Sequence, residues 1–253
     1  MEQEADLTPR ADCNLCPHQD DLLAQGRCQP GDCCVSADSG RQIDRFFKTN
    51  PALAPDYMRD GFWERRAIAA RYLPTNRLAD MLSDPDEAVR RVLAYRIPLE
   101  WLPKLARDPD REVRITVADR LPVEQLEILA DDPDYLVRVY VAKRMPPGRL
   151  FRLAADGDNQ VRRAVVERIP TVSLGLFARD ADPEIRRIAA RRMDAEDLYL
   201  LATDQDWLVR YEVALRAPPE LLERLLHDAD EEVRQTAQAR REDLILGDMT
   251  DGS

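Results

Sequence analysis

The sequence predicts an all-α solenoid of about eight 24-residue repeats behind a small cysteine-rich module. Two observations carry this. Val89-Arg90 returns as Val113-Arg114, Val137-Arg138, Val161-Arg162, Ile185-Arg186, Val209-Arg210 and Val233-Arg234, with Arg65-Arg66 as a worn first copy, and the spacing never slips between residues 60 and 241. A strict period of that length means one small unit that buries its apolar face only against its neighbours. All five cysteines, in turn, fall between residues 13 and 34, a stretch too short for a core of its own. The chain divides accordingly into a cysteine module over 1–38, capping helices over 39–59, the repeats over 60–241 and an acidic tail over 242–253.

The cysteines read Cys13-x₂-Cys16-x₁₁-Cys28-x₄-Cys33-Cys34, broken by Pro17, Gly26, Pro30 and Gly31. Something covalent or metallic has to hold such a segment. No apolar run approaches the ~18 residues of a membrane helix, and the acidic start Met1-Glu2-Gln3-Glu4 is the opposite of a signal peptide. We therefore expect a cytoplasmic protein, where thiols stay reduced and disulfides are the weakest reading. Structural zinc and an iron–sulfur cluster both take four thiolates, and the spacing alone leaves both open. His18 reads as a solvated loop residue rather than a ligand.

Behind the cysteines, Ser39 reads as an N-cap, and Ile43, Phe46 and Phe47 form the apolar face of a capping helix that closes the first repeat. Within a repeat, Asp84-Pro85 reads as an N-cap and first helical residue, repeated at Asp108-Pro109 and Asp132-Pro133. Val89, Leu93 and Ile97 then fall at i, i+4 and i+8 with Ala94 beside them, one apolar helical stripe. Pro98, Pro122, Pro146, Pro170 and Pro218 stop the helix. Leu102, Leu105 and Ala106 make a second, shorter helix of two turns at most, in part 3₁₀. No alternating pattern suggests a strand.

Two arginine series recur with the period: Arg90 with its equivalents, and Arg96 with Arg120, Arg144, Arg168, Arg192, Arg216 and Arg240. Asp86 and its equivalents recur as strictly, four residues ahead of Arg90, the favourable order for an ion pair. With the Asp84 series as a second acid per repeat, we read these as an inter-repeat network that also satisfies backbone carbonyls, a scaffold device rather than a site. Trp101, Tyr135, Tyr140, Phe151, Tyr199, Trp207 and Tyr211 vary between copies and are the better candidates for partner contact. The copy at Asp180 has its proline displaced to Pro183 and Asp194 in place of the terminating proline, which we read as drift.

The formal net charge of −11 sits at the ends. Residues 1–40 hold eight acids against two arginines, residues 242–253 four acids and no base, and the repeats are nearly balanced. That balance speaks against a nucleic-acid-binding superhelix, which would show a basic excess. There is no Gly-rich phosphate loop, and neither histidine, His18 or His227, sits in a catalytic constellation, so no enzyme and no small-molecule substrate are expected.

The 24-residue Asp-Pro-Asp-x-x-Val-Arg unit, the cluster Cys13, Cys16, Cys28, Cys33-Cys34, and the following Ser39-Gly40-Arg41-Gln42-Ile43-Asp44-Arg45-Phe46-Phe47 together resemble the leucine-rich repeat variant (LRV) proteins. The resemblance covers nearly the whole chain. It implies a [4Fe–4S] cluster rather than the zinc alternative, a right-handed superhelix of alternating α and 3₁₀ helices, and no established enzymatic activity. Four ligands come from five cysteines. Neighbouring side chains diverge, so Cys33 and Cys34 do not both serve; the metal set is Cys13, Cys16, Cys28 and Cys34, with Cys33 a spare thiol. The expected function is a non-catalytic scaffold that binds a macromolecule, protein rather than nucleic acid, with a redox-active or redox-sensing cluster. An electron carrier or redox-enzyme subunit is the alternative, and a nucleic-acid-binding superhelix the third reading. No residue is assigned to the partner.

Overall fold

The structure, a computed structural model, describes residues 8–251, with side chains described to 245. It divides into two compact units, Met1–Pro122 and Val123–Ser253. Among the described residues there is no β-strand, only one isolated bridge between Gln29 and Cys33.

In the first unit, α1 (Gly40–Thr49), α2 (Trp63–Tyr72), α3 (Glu87–Arg96) and α4 (Arg111–Arg120) pack side by side in sequence order. They alternate with 3₁₀ helices at Pro51–Tyr57, Thr75–Met81 and Leu99–Leu105. The second unit continues with α5 (Tyr135–Arg144), α6 (Asn159–Val166), α7 (Pro183–Arg192), α8 (Trp207–Ala214), α9 (Pro219–Leu225) and α10 (Glu231–Asp251). Its 3₁₀ helices are Val123–Leu129, Pro147–Leu153, Thr171–Phe177 and Ala195–Leu200. The second element of the repeat is thus 3₁₀ throughout its length until the last copy, where α9 is α-helical. A seven-residue 3₁₀ helix rises about 14 Å and a ten-residue α-helix about 15 Å, so the two helices of a repeat match in length. Three residues per turn also stack Leu102 over Leu105, both buried. Residues 242–251, expected as a separate tail, continue α10.

The predicted stripe is the core: Val89, Leu93, Ala94 and Ile97 are fully buried, as are Val113, Val117, Ala118 and Leu121. Helices α2 to α5 end two residues ahead of a proline, whose neighbour turns extended, as at Leu73 and Ile97; α7 ends the same way ahead of Asp194, and α6 and α8 stop four residues short of Pro170 and Pro218.

The polar reading needs two corrections. The N-cap is the Asp86 series: Asp86 accepts from Ala88 N at 2.9 Å, Asp134 from Leu136 N at 2.8 Å and Asp206 from Leu208 N at 2.8 Å. Asp84 lies two residues ahead, where its Oδ1 accepts from Asp86 N at 2.9 Å and so shapes the turn into the helix. Nor does Arg90 pair with Asp86. Its Nε and Nη2 reach forward 18 residues to both oxygens of Asp108, at 2.7 and 2.9 Å, while Nη1 donates to the carbonyls of Asp84 and Pro85. Arg66–Asp84, Arg138–Asp156, Arg162–Asp180, Arg186–Asp204 and Arg210–Asp228 repeat this fork. An i, i+4 pair lost because Asp86 was already committed to helix amides.

The Arg96 series points the other way. Arg120 donates to Ala94 O and, at 3.0 Å, to Ile97 O; Arg192 donates to Val166 O and, at 2.8 Å, to Ile169 O. These are the orphan carbonyls at the end of the preceding α-helix, capped by a cation from the next repeat. The Asp180 copy keeps this geometry in full, because Pro183 falls at N1 of α7, where an amide would have no partner.

Candidate metal centre

The thiols are brought together by three short backbone devices. Asp12 caps the 3₁₀ turn Cys13–Leu15, accepting from Asn14 N at 2.9 Å, and Cys16 N closes it on Cys13 O at 3.1 Å. A single turn of π-helix, Gln19–Leu23, buries Leu22 and runs on into a turn at Gly26, whose φ of 68° suits a residue without Cβ. A turn through Gly31 (φ 82°) then lets Gln29 and Cys33 exchange backbone hydrogen bonds of 2.7 and 2.8 Å, which folds Cys33-Cys34 back beside Cys28.

All five cysteines line one hollow, with His18, Leu23, Val35 and Phe46 completing its wall. None is in a disulfide. Burial, then the Cys16, Cys34, Cys33 and Cys13 thiols, push Cys28 up to about 11. Cys13 is raised by burial and then by Cys34, Cys16 and Asp12. Cys33 is raised by burial, against the Thr49 hydroxyl, and further by Cys34, against a backbone hydrogen bond at Gln29. Its Sγ lies 3.7 Å from Arg27 O and 4.0 Å from Thr49 Oγ1. Among the described residues no three His, Cys, Asp or Glu side chains converge as a site for a single ion; the thiols ring a space instead.

Helix α1 fastens this module to the first repeat. Gln42 O accepts from Cys34 N at 3.2 Å and Gln42 Nε2 donates to Pro9 O at 2.7 Å. Asn50 Nδ2 donates to Arg27 O at 3.0 Å, and Arg45 pairs with Asp32. Ile43, Phe46 and Phe47 are fully buried, as the capping reading required; Ser39 occupies the N-cap position, but its side chain makes no capping bond. His18 departs from expectation: its side chain is 13% exposed, Nε2 meets Tyr57 Oη at 2.7 Å, and the ring packs 5.5 Å from Phe46. The spacing could not show this, because Tyr57 lies 39 residues away. Ser36, also missed, places its hydroxyl 3.3 Å from Cys16 Sγ.

Residues 9–56 match the family model described as LRV protein FeS4 cluster, and residues 111–134 and 207–230 match that of the leucine rich repeat variant. A solved structure, "a leucine-rich repeat variant with a novel repetitive protein structural motif", is 55% identical over 92% of this chain and 100% of its own, with a TM-score of 0.84. The chain belongs to the leucine-rich repeat variant family. An uncharacterized 27.7 kDa protein in the nifB 3′ region of Rhodobacter capsulatus is 40% identical over 85 residues. That alignment spans 34% of this chain and 34% of the curated relative. The LRV match carries the fold over nearly the whole chain, and the FeS4 module implies an iron–sulfur cluster. The donor set fits one: reduced thiols around a common hollow, walled by apolar side chains. Among the described residues no helix is long and apolar enough to cross a membrane.

Proposed function

We propose that this LRV protein is a non-catalytic, cytoplasmic scaffold that binds a protein partner and carries a redox-active or redox-sensing [4Fe–4S] cluster on Cys13, Cys16, Cys28 and Cys34. The observation behind the ligand set is geometric: all five thiols line one hollow, and Cys33 Sγ is turned toward Arg27 O at 3.7 Å and Thr49 Oγ1 at 4.0 Å. When bound, the cluster supplies a one-electron centre and cross-links the loop. The chain's part is to hold four thiols in place, to shield them with Leu23, Val35 and Phe46, and to connect them to the repeats. Helix α1 supports the sensing element of the reading, since it lines the hollow through Phe46 and packs against α2.

Purification without oxygen, followed by iron, acid-labile sulfide and zinc analysis, tests this. About four irons and four sulfides per chain are expected, retained in Cys33→Ser and lost or reduced in Cys34→Ser. The opposite pattern overturns the ligand assignment; one zinc and no sulfide overturns the cluster and the redox role with it. A second reading, an electron carrier, draws support from Leu15, which is 84% exposed between Cys13 and Cys16, an apolar contact point beside two thiols. It requires reversible cycling with a fast partner.

A further inference from the structure

We infer that the groove across α1, α2 and α3 is a docking site for an acidic, partly apolar peptide segment of the partner, an inference that rests on the scaffold reading. The groove has a volume of about 550 Å³. Its depth comes from small residues: Gly40, Ala67 and Ala88 line it, and one period after Ala67 and Ala88 the chain carries Arg91 and Glu112. Ile68 and Val92 form an apolar floor, and Trp63, 43% exposed, stands at the start of α2.

The charges around that floor are unequally engaged. Asp44 is met by Arg71 at 3.4 Å. Glu64 is folded against the beginning of α1, so closely that a Cβ at Gly40 would lie 2.2 Å from its Oε1. There the helix amides favour a carboxylate. Arg41 and Arg91, by contrast, are exposed and make no hydrogen bond or ion pair among the described residues. Two uncommitted guanidiniums flanking an apolar floor and an exposed tryptophan complement carboxylates on either side of an apolar side chain. A nucleic acid fits less well, because the apolar floor of Ile68 and Val92 offers a phosphate backbone nothing, whereas it accepts the apolar side chain of a peptide. The groove also adjoins the metal centre: α1 lines it with Gly40, Arg41 and Asp44, and lines the thiol hollow with Phe46.

The test uses the full chain with its cluster and a fluorescein-labelled peptide of alternating glutamate and leucine. Its glutamine analogue and a mixed-sequence single-stranded DNA serve as further probes. We expect the acidic peptide to bind and to quench Trp63, with affinity weakened about tenfold or more in the Arg41→Glu/Arg91→Glu variant. The Arg59→Glu/Arg107→Glu variant, which makes the same charge change at exposed positions outside the groove, should bind as the unmodified chain does. Both variants are checked for cluster absorbance and helical content. Undiminished binding by Arg41→Glu/Arg91→Glu overturns the groove while leaving the scaffold reading intact, since the peptide then docks elsewhere. DNA binding as tight as the peptide's, or no peptide binding at all, also overturns it. In those cases the metal and sulfide analysis still judges the cluster reading separately.

Discussion

Ser36 places a hydrogen-bond donor at the cysteine hollow. Its hydroxyl donates to Cys16 Sγ across 3.3 Å. A hydrogen bond to a ligating sulfur stabilises the more negative, reduced state and raises the reduction potential. Ser36→Ala should therefore shift the midpoint to a more negative value in a spectroelectrochemical titration, with Ser36→Thr restoring it. Equal potentials in all three proteins would remove Ser36 from the tuning of the site. His18 works differently. Through Tyr57 and Phe46 it ties the loop that carries Cys16 to the 3₁₀ helix and to α1.

At the level of the helix, the two arginine series solve different problems. The Arg90 series ties two successive carbonyls of its own turn to a carboxylate 18 residues ahead, a fork that locks the next repeat in register. The Arg96 series closes the open end of the previous helix. Arg90 and Asp108 are both buried and share two hydrogen bonds. Removing one partner strands the other, so Arg90→Ala should cost about 3–5 kcal/mol in denaturant unfolding. Arg90→Lys should recover little of it, because an ammonium cannot form the planar fork. The exposed pair Arg77–Asp80 is the contrast: Arg77→Ala should cost below about 1 kcal/mol. Similar losses at the two sites would mean that the fork contributes no more than a surface pair.

For the chain as a whole, these pairs set its response to acid. In the second unit, burial is the largest influence on Asp156 and Asp180 and raises them, but the hydrogen bonds from Arg138 and Arg162, those from the Asp158 and Asp182 amides and the nearby guanidinium charges together outweigh it and leave both carboxyls below their ordinary value. Asp228 is lowered by the bond from Arg210, against burial. A carboxyl depressed by folding stabilises the native state fully above its unfolded pKa, near ~4, and loses that contribution as pH falls through the lower folded value. Helical circular dichroism and amide exchange should therefore show Val123–Ser253 weakening below about pH 4. Asp156→Asn should be less stable at neutral pH yet flatter in that acid range. An acid limb of unchanged steepness would place the pH dependence elsewhere.

The sequence by itself determined the repeat, its period, its buried stripe and the position of the helix stops, because each depends on residues within one 24-residue unit. It also set the thiol inventory and the family, since both reside in local spacing. Which partner each repeated charge takes is settled by packing between repeats. Asp84 and Asp86 are two residues apart and chemically identical, so no local rule could tell the cap from the ion-pair acceptor. That choice depends on a guanidinium arriving from 18 residues earlier. The same holds for the engagement of Cys33 by Arg27 and Thr49, for Ser36 beside Cys16, and for His18 beside Tyr57. Each is a contact between segments whose proximity is fixed by packing α1 against the cysteine loop, and packing has no period to be read in a chain.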